Sequence, residues 1–155
     1  MKNGKIAELG IVMIALFGLS FLLNFFWESI QAVSLYLKHD FGADKYVRMT
    51  IYVTFIDSLF VEGIYLFTGF CFKDLLWERS PTKGKVILFS LAALGVAAFI
   101  EYRAVFRLGR WAYKETMPVI FGIGLSPLVQ LWITGLGALW LSHEFLYGGG
   151  LLVKE

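Results

Sequence analysis

Four acidic side chains fall inside runs of sequence that are otherwise apolar: Glu28, Asp57, Glu62 and Glu101. An ionised carboxylate in hydrocarbon costs several kcal/mol unless it is paired or faces a wet cavity, so each is a candidate for chemistry. Two carboxylates sharing a poorly hydrated pocket push their proton affinities apart, which lets one donate a proton while the other accepts. Glu28 and Asp57, with Glu101, are the candidate catalytic set on that reasoning. In the first run Asn24, Trp27, Glu28 and Gln31 follow i, i+3, i+4, i+7, a continuous polar stripe on one helical face. Thr54, Asp57 and Ser58 make a shorter stripe, and Ser126, Gln130 and Thr134 follow i, i+4, i+8. Glu62 is turned about 140° away from Asp57 and points to a neighbouring cavity or an oligomer contact. The plain alternative is that the Ser, Thr and Gln members make interhelical hydrogen bonds, worth about 0.6–2 kcal/mol each. Glu101, near a span end, is also placed to snorkel to the interface.

The elements that must position these groups follow from composition. The chain has 155 residues, 58% of them hydrophobic, and a mean hydropathy of +0.70, too apolar for a soluble domain of this size. A bilayer core takes about 20 helical residues per crossing, and no alternating strand pattern suggests a barrel. The expected fold is all-α, an integral membrane four-helix bundle forming one domain over 1–155. Its spans are expected at about 9–37, 49–72, 86–106 and 119–141. The basic opening before the first run resembles a secretory signal, but Asn24 to Glu28 stand where small cleavage-site residues would be needed, so the span is read as uncleaved. At about 1.5 Å per residue, Asp57 lies roughly 12 Å into its span and Gln130 about as far into the fourth, with Glu28 roughly 14 Å and Glu101 about 8 Å from span ends. All four helices then bring a polar group to one layer in the half of the membrane opposite the termini. Net charge is +2 with no basic tract, which argues against a nucleic-acid partner. Cys71 is the single cysteine and has nothing to pair with inside the chain. Loop Lys and Arg residues divide seven against seven between the faces, including Lys2, Lys38 and Lys154. Setting aside arginines that serve a site gives cytoplasmic termini.

The third loop places Arg103, Arg107, Arg110, Trp111, Tyr113 and Lys114 at the boundary of that layer. They form either an ordinary interfacial belt or a lid, whose guanidinium groups neutralise the acids or grip a phosphate or carboxylate head group. Pro127, after Gly122 and Gly124, is expected to loosen the start of the last span and bare backbone groups toward a cavity.

On these residues the chain resembles a group of largely uncharacterised small bacterial four-span membrane proteins. The shared motifs are Trp27-Glu28-x-x-Gln31 and Trp111-x-Tyr113-x-x-x-Met117-Pro118, running into Gly122-x-Gly124-Leu125-Ser126-Pro127-Leu128-x-Gln130. The resemblance spreads over most of the chain and implies no activity. A fainter one is to the emopamil-binding or sterol-isomerase family, which uses membrane-buried acids. The histidine of that family's pocket has no counterpart within these spans, since His39 and His143 fall near span ends.

The leading expectation is an enzyme acting by acid–base chemistry on a lipid or isoprenoid. Glu28, Asp57 and Glu101 are its catalytic residues, and Asn24, Trp27, Gln31, Arg103, Arg107, Arg110, Trp111, Tyr113 and Gln130 bind substrate. The alternatives are a proton- or cation-coupled transporter and an accessory subunit whose acids pair with Arg103 and Arg107. Expected partners are a membrane lipid or amphipathic small molecule, with a homo-oligomer or larger membrane complex left open. Oxygen ligands from the three acids would suit Mg²⁺, Mn²⁺ or Ca²⁺, but no tight ligand spacing is present, and neither metal nor cofactor is expected. The expected location is the bacterial inner membrane.

Overall fold

The computed structural model describes residues 2–37 and 42–152. Lys38, His39 and Lys154, counted above, lie outside the described residues, as does the side chain of Lys2. Four long helices make up the molecule: α1 (Lys2–Leu35), α2 (Ala43–Cys71), α3 (Lys83–Tyr102) and α4 (Leu125–His143). One π-type turn, Arg103–Arg107, extends α3, and another, Glu144–Gly148, extends α4. All four are long and apolar enough to cross a membrane. The outer surface agrees with lipid as solvent: Ile14, Phe26, Ile30, Phe70 and Trp140 are all exposed. An apolar exterior of this kind in water would be an association site.

Around the bundle α1 packs against α2 and α4, and α3 packs against α4, while α2 and α3 meet over the fewest residues of the four neighbouring pairs. Small residues allow the close approaches. A side chain at Gly135 on α4 would sit 2.9 Å from the Phe89 ring of α3, so glycine lets these two helices touch. The half of the bundle nearer the termini is filled by a closed cluster that includes Val12, Leu16, Val61, Tyr65, Phe89, Ala93 and Ala138. Trp77, from the α2–α3 connection, seals its end. Its ring stacks on Tyr65 at 5.1 Å, and its Nε1 donates to the Tyr65 carbonyl at 3.1 Å.

That connection is held in a defined shape. Lys73 at φ 54° reverses the chain after α2, with Lys73 N donating to Phe70 O and Asp74 N donating to Gly69 O, the paired bonds of a Schellman ending. Arg79 then grips Glu8 of α1 with two bonds of 2.6 Å, and Lys85 meets Asp74 at 2.6 Å. Between them Glu78 is driven inside. It is 2% exposed, and neither carboxylate oxygen has a hydrogen-bond partner. Burial pushes its pKa up from 4.5 to about 7, with the nearby Ser142 lowering it slightly.

A pH dependence follows. The folded state holds the Glu78 proton more tightly than the unfolded chain, whose carboxyl titrates near 4.3. Glu78 therefore costs nothing below about pH 4, and stability falls as pH rises toward about 7, by a total of order 3 kcal/mol, then levels off. Glu78→Gln is expected to flatten this part of the curve. Melting midpoints between pH 4.5 and 8 in a non-ionic detergent check it, and an unchanged slope in the variant would contradict the assignment.

The fourth span begins later than hydropathy places it. Val119–Ile120 pairs antiparallel with Ile123–Gly124, and the turn between them uses positive φ at Phe121 and Gly122. The apolar side chains of Val119, Ile120 and Phe121 are exposed on this hairpin and enter no helix. Pro127 does not break the start of α4 either. It sits in the first turn, where its missing N–H would have no intrahelical acceptor.

Candidate functional site

Each of the four helices contributes a strongly polar side chain to the wall of a single cavity of about 320 Å³: Glu28 and Gln31 from α1, Asp57 from α2, Glu101 from α3 and Gln130 from α4. The remaining wall is mostly apolar or aromatic, with Tyr36, Tyr52, Ala97, Trp111 and Leu131 among its residues. Tyr52 lines the cavity yet is 68% exposed. The cavity therefore reaches the surface of the bundle beside Tyr52 of α2.

An amide network fixes the acids. Gln31 Nε2 donates to Glu28 Oε1 at 3.2 Å and to Gln130 Oε1 at 3.0 Å. Gln130 Nε2 donates to Asp57 Oδ2 at 3.0 Å and to Asn24 Oδ1 at 3.2 Å. Asn24 is anchored in turn, accepting from Thr134 Oγ1 at 2.9 Å and donating to the Ser20 carbonyl at 2.9 Å. On the other side Gln31 Oε1 accepts from Trp27 Nε1 at 3.1 Å and from Ser126 Oγ at 2.5 Å. Side-chain amides suit this task because each supplies two donors and an acceptor, and so can join acids from different helices.

Glu101 has a separate clamp. Tyr113 donates its hydroxyl to Glu101 Oε2 at 2.5 Å and Trp111 donates Nε1 to the same oxygen at 3.2 Å, and Tyr36 adds a further hydrogen bond. Burial and its bond to Glu101 push the Tyr113 phenol upward, so it keeps its proton and donates. The loop carrying Trp111 and Tyr113 is pinned to the end of α1. Leu37 N donates to Ala112 O and Lys114 N to Leu35 O, each at 2.8 Å, while Lys114 Nζ donates to the Val33 carbonyl at 2.6 Å. Carbonyls that the last helical turn leaves open are satisfied this way, by a cation at the negative end of the helix. Gly124 leaves room for the Tyr113 ring, whose Cε1 would lie 2.9 Å from an added Cβ.

The residues singled out in the sequence divide into three groups. Glu28, Asp57, Glu101, Gln31, Gln130 and Trp111 line the cavity. Asn24, Trp27 and Tyr113 stand behind the wall and orient what lines it. Arg103, Arg107 and Arg110 are exposed and line nothing in the cavity. Arg103 lies over the Phe99 ring at 5.7 Å, and no ion pair joins any of the three to an acid among the described residues. The lid reading of these arginines is therefore corrected: Arg103 and Arg107 sit on the π-type turn and Arg110 just past it, and all three are exposed and off the cavity. Glu62 is half-buried and also lies off the cavity.

Two lining residues went unread in the sequence. Tyr36 stands eight residues after Glu28, one residue past the end of α1, where it bridges to Tyr113, so continuing the spacing of the stripe beyond the helix finds it. Tyr52 carries no such signal, because it lies off the Thr54-Asp57-Ser58 stripe. No family profile, curated protein or solved structure matches this chain.

Proposed function

We propose that the protein is an intramembrane enzyme that binds an amphipathic lipid or isoprenoid in this cavity and acts on it by acid–base chemistry. The observation that carries the reading is the meeting of three carboxylates, from three helices, on one small pocket with no basic side chain in its wall among the described residues. Acids placed only for structure would be neutralised by neighbouring cations or hidden from any cavity. Here amides hold Glu28 and Asp57 in fixed orientations while leaving oxygens able to reach an occupant. One acid delivering a proton and the other removing one suits isomerisation, hydration or cyclisation of a double bond. Trp111 and Tyr113 fix Glu101 beside them as a third charge that biases which acid holds the proton.

The transport reading has less support. The cavity's inner end meets the closed cluster around Val61, Ala93 and Leu131, with Trp77 beyond it, and four spans without internal repeats make a small carrier. An accessory role based on pairing of the cavity acids with Arg103 and Arg107 has no such pair to rest on among the described residues. We place the protein in the bacterial inner membrane, a placement that rests on the motifs at Trp27 and Trp111; with Arg103, Arg107 and Arg110 off the cavity, the loop charges divide evenly and favour neither orientation.

Lipid extracts from cells lacking the protein, carrying it, and carrying Glu28→Gln test the reading. At least one lipid or isoprenoid species should change with the wild-type chain and stay unchanged with the variant. Identical extracts from all three would overturn the enzyme assignment.

A further inference from the structure

Resting on the acid–base reading of the same cavity, we propose that the occupant's head group is a hydrogen-bond donor, a hydroxyl or a protonated amine, and that anionic head groups are excluded. Donors in the described cavity wall are almost all engaged already. Both hydrogens of Gln31 Nε2 are engaged, on Glu28 and Gln130. Both hydrogens of Gln130 Nε2 are engaged, on Asp57 and Asn24. The indole hydrogen of Trp111 goes to Glu101. Among the described lining residues this leaves two donors for an occupant: the Tyr52 hydroxyl, at the mouth, and the single transferable proton of the acid pair.

Acceptors, by contrast, remain in excess. The amide bonds fall on Glu28 Oε1 and Asp57 Oδ2, and an ionised carboxylate can accept about four hydrogen bonds. An occupant that offers only acceptors would meet no donor at the acids beyond the one transferable proton, and would leave the remaining carboxylate lone pairs and its own further polar atoms unsatisfied. A phosphate or carboxylate would also meet the remaining carboxylate charge at low dielectric, with the loop arginines turned away. A hydroxyl or ammonium supplies what is missing.

Size and access complete the description. A cavity of about 320 Å³ holds roughly ten water-sized groups at about 30 Å³ each. It therefore takes the head and a short stretch of chain. A longer tail leaves past Tyr52 into the surrounding lipid.

The test uses the full chain in phosphatidylcholine nanodiscs and five amphiphiles with one tail: dodecylamine, dodecanol, dodecyl methyl ether, dodecanoate and dodecyl phosphate. Binding is read at equal bilayer mole fraction from tryptophan fluorescence, with Trp111→Phe identifying the Trp111 signal. The amine, the alcohol or both should bind at least about ten-fold more tightly than the ether and the two anions, a gap of roughly 1.4 kcal/mol. Preference for the amine alone assigns the occupant as a cation, and preference for the alcohol alone assigns it as neutral. The preference should shrink to about three-fold or less in Glu28→Gln/Asp57→Asn. The wild-type ranking stands as a test even if that variant folds poorly. Equal or tighter binding of the ether, dodecanoate or dodecyl phosphate overturns this inference and leaves the enzyme reading intact. No binding by any of the five overturns both.

Discussion

Glu28→Gln is expected to lower kcat on the converted lipid by about 10²–10⁴-fold, the usual contribution of a positioned acid or base, while the melting midpoint barely moves. The variant keeps the shape of the side chain and an amide oxygen at Oε1, so the bond from Gln31 Nε2 survives. What is lost is the transferable proton. Asp57→Asn should act similarly, since its Oδ can still accept from Gln130 Nε2. The double variant should be little worse than either single one, because groups that move one proton between them act as a unit. Single-turnover rates and melting midpoints measured together decide the matter. A large fall in stability with activity per folded molecule unchanged would make these acids structural.

The second large effect is expected far from the cavity. Trp77→Ala should cost about 3–5 kcal/mol of unfolding free energy, the range for removing a large buried aromatic. Trp77 is 1% exposed, stacks on Tyr65 and packs on Phe89 at 6.1 Å. Its loss opens a hole beneath the closed cluster and leaves the connection bearing Glu78 and Arg79 without its anchor. Unfolding in mixed micelles reads the effect. A loss below about 1 kcal/mol would mean that the α2–α3 connection does not seal that end of the bundle.

Much of this arrangement is legible in the residues alone. The stripe Asn24, Glu28, Gln31 is visible because an apolar helix gives polar residues only one sheltered face, and all three are buried. The depths of Asp57 and Gln130 are legible because rise per residue is fixed, and the two side chains bond to each other. What could not be read depends on tertiary placement. Arg103, Arg107 and Arg110 lie near Glu101 in sequence, but the course of the loop, pinned to α1 at Lys114, decides which side chains face inward. Glu78 reads as an ordinary loop charge, and only the seating of Trp77 on Tyr65 explains its burial. Val119 to Phe121 read as membrane span, since hydropathy cannot separate an apolar interfacial hairpin from a helix.

The central claim, an accessible cavity walled by three carboxylates, is tested most directly by thiol labelling at its wall. Both Ala97 and Ala93, one turn apart on α3, belong to the buried cluster, but Ala97 lines the cavity whereas Ala93 does not and is fully buried. In a Cys71→Ser background, since Cys71 is exposed, Ala97→Cys should react at least about ten-fold faster with cationic aminoethyl methanethiosulfonate than with its anionic sulfonatoethyl counterpart, as an acidic, water-poor cleft requires. The ratio should collapse once Glu28, Asp57 and Glu101 are replaced by Gln, Asn and Gln, and Ala93→Cys should stay unlabelled. Equal rates for the two reagents, or no reaction at Ala97→Cys, would contradict the account.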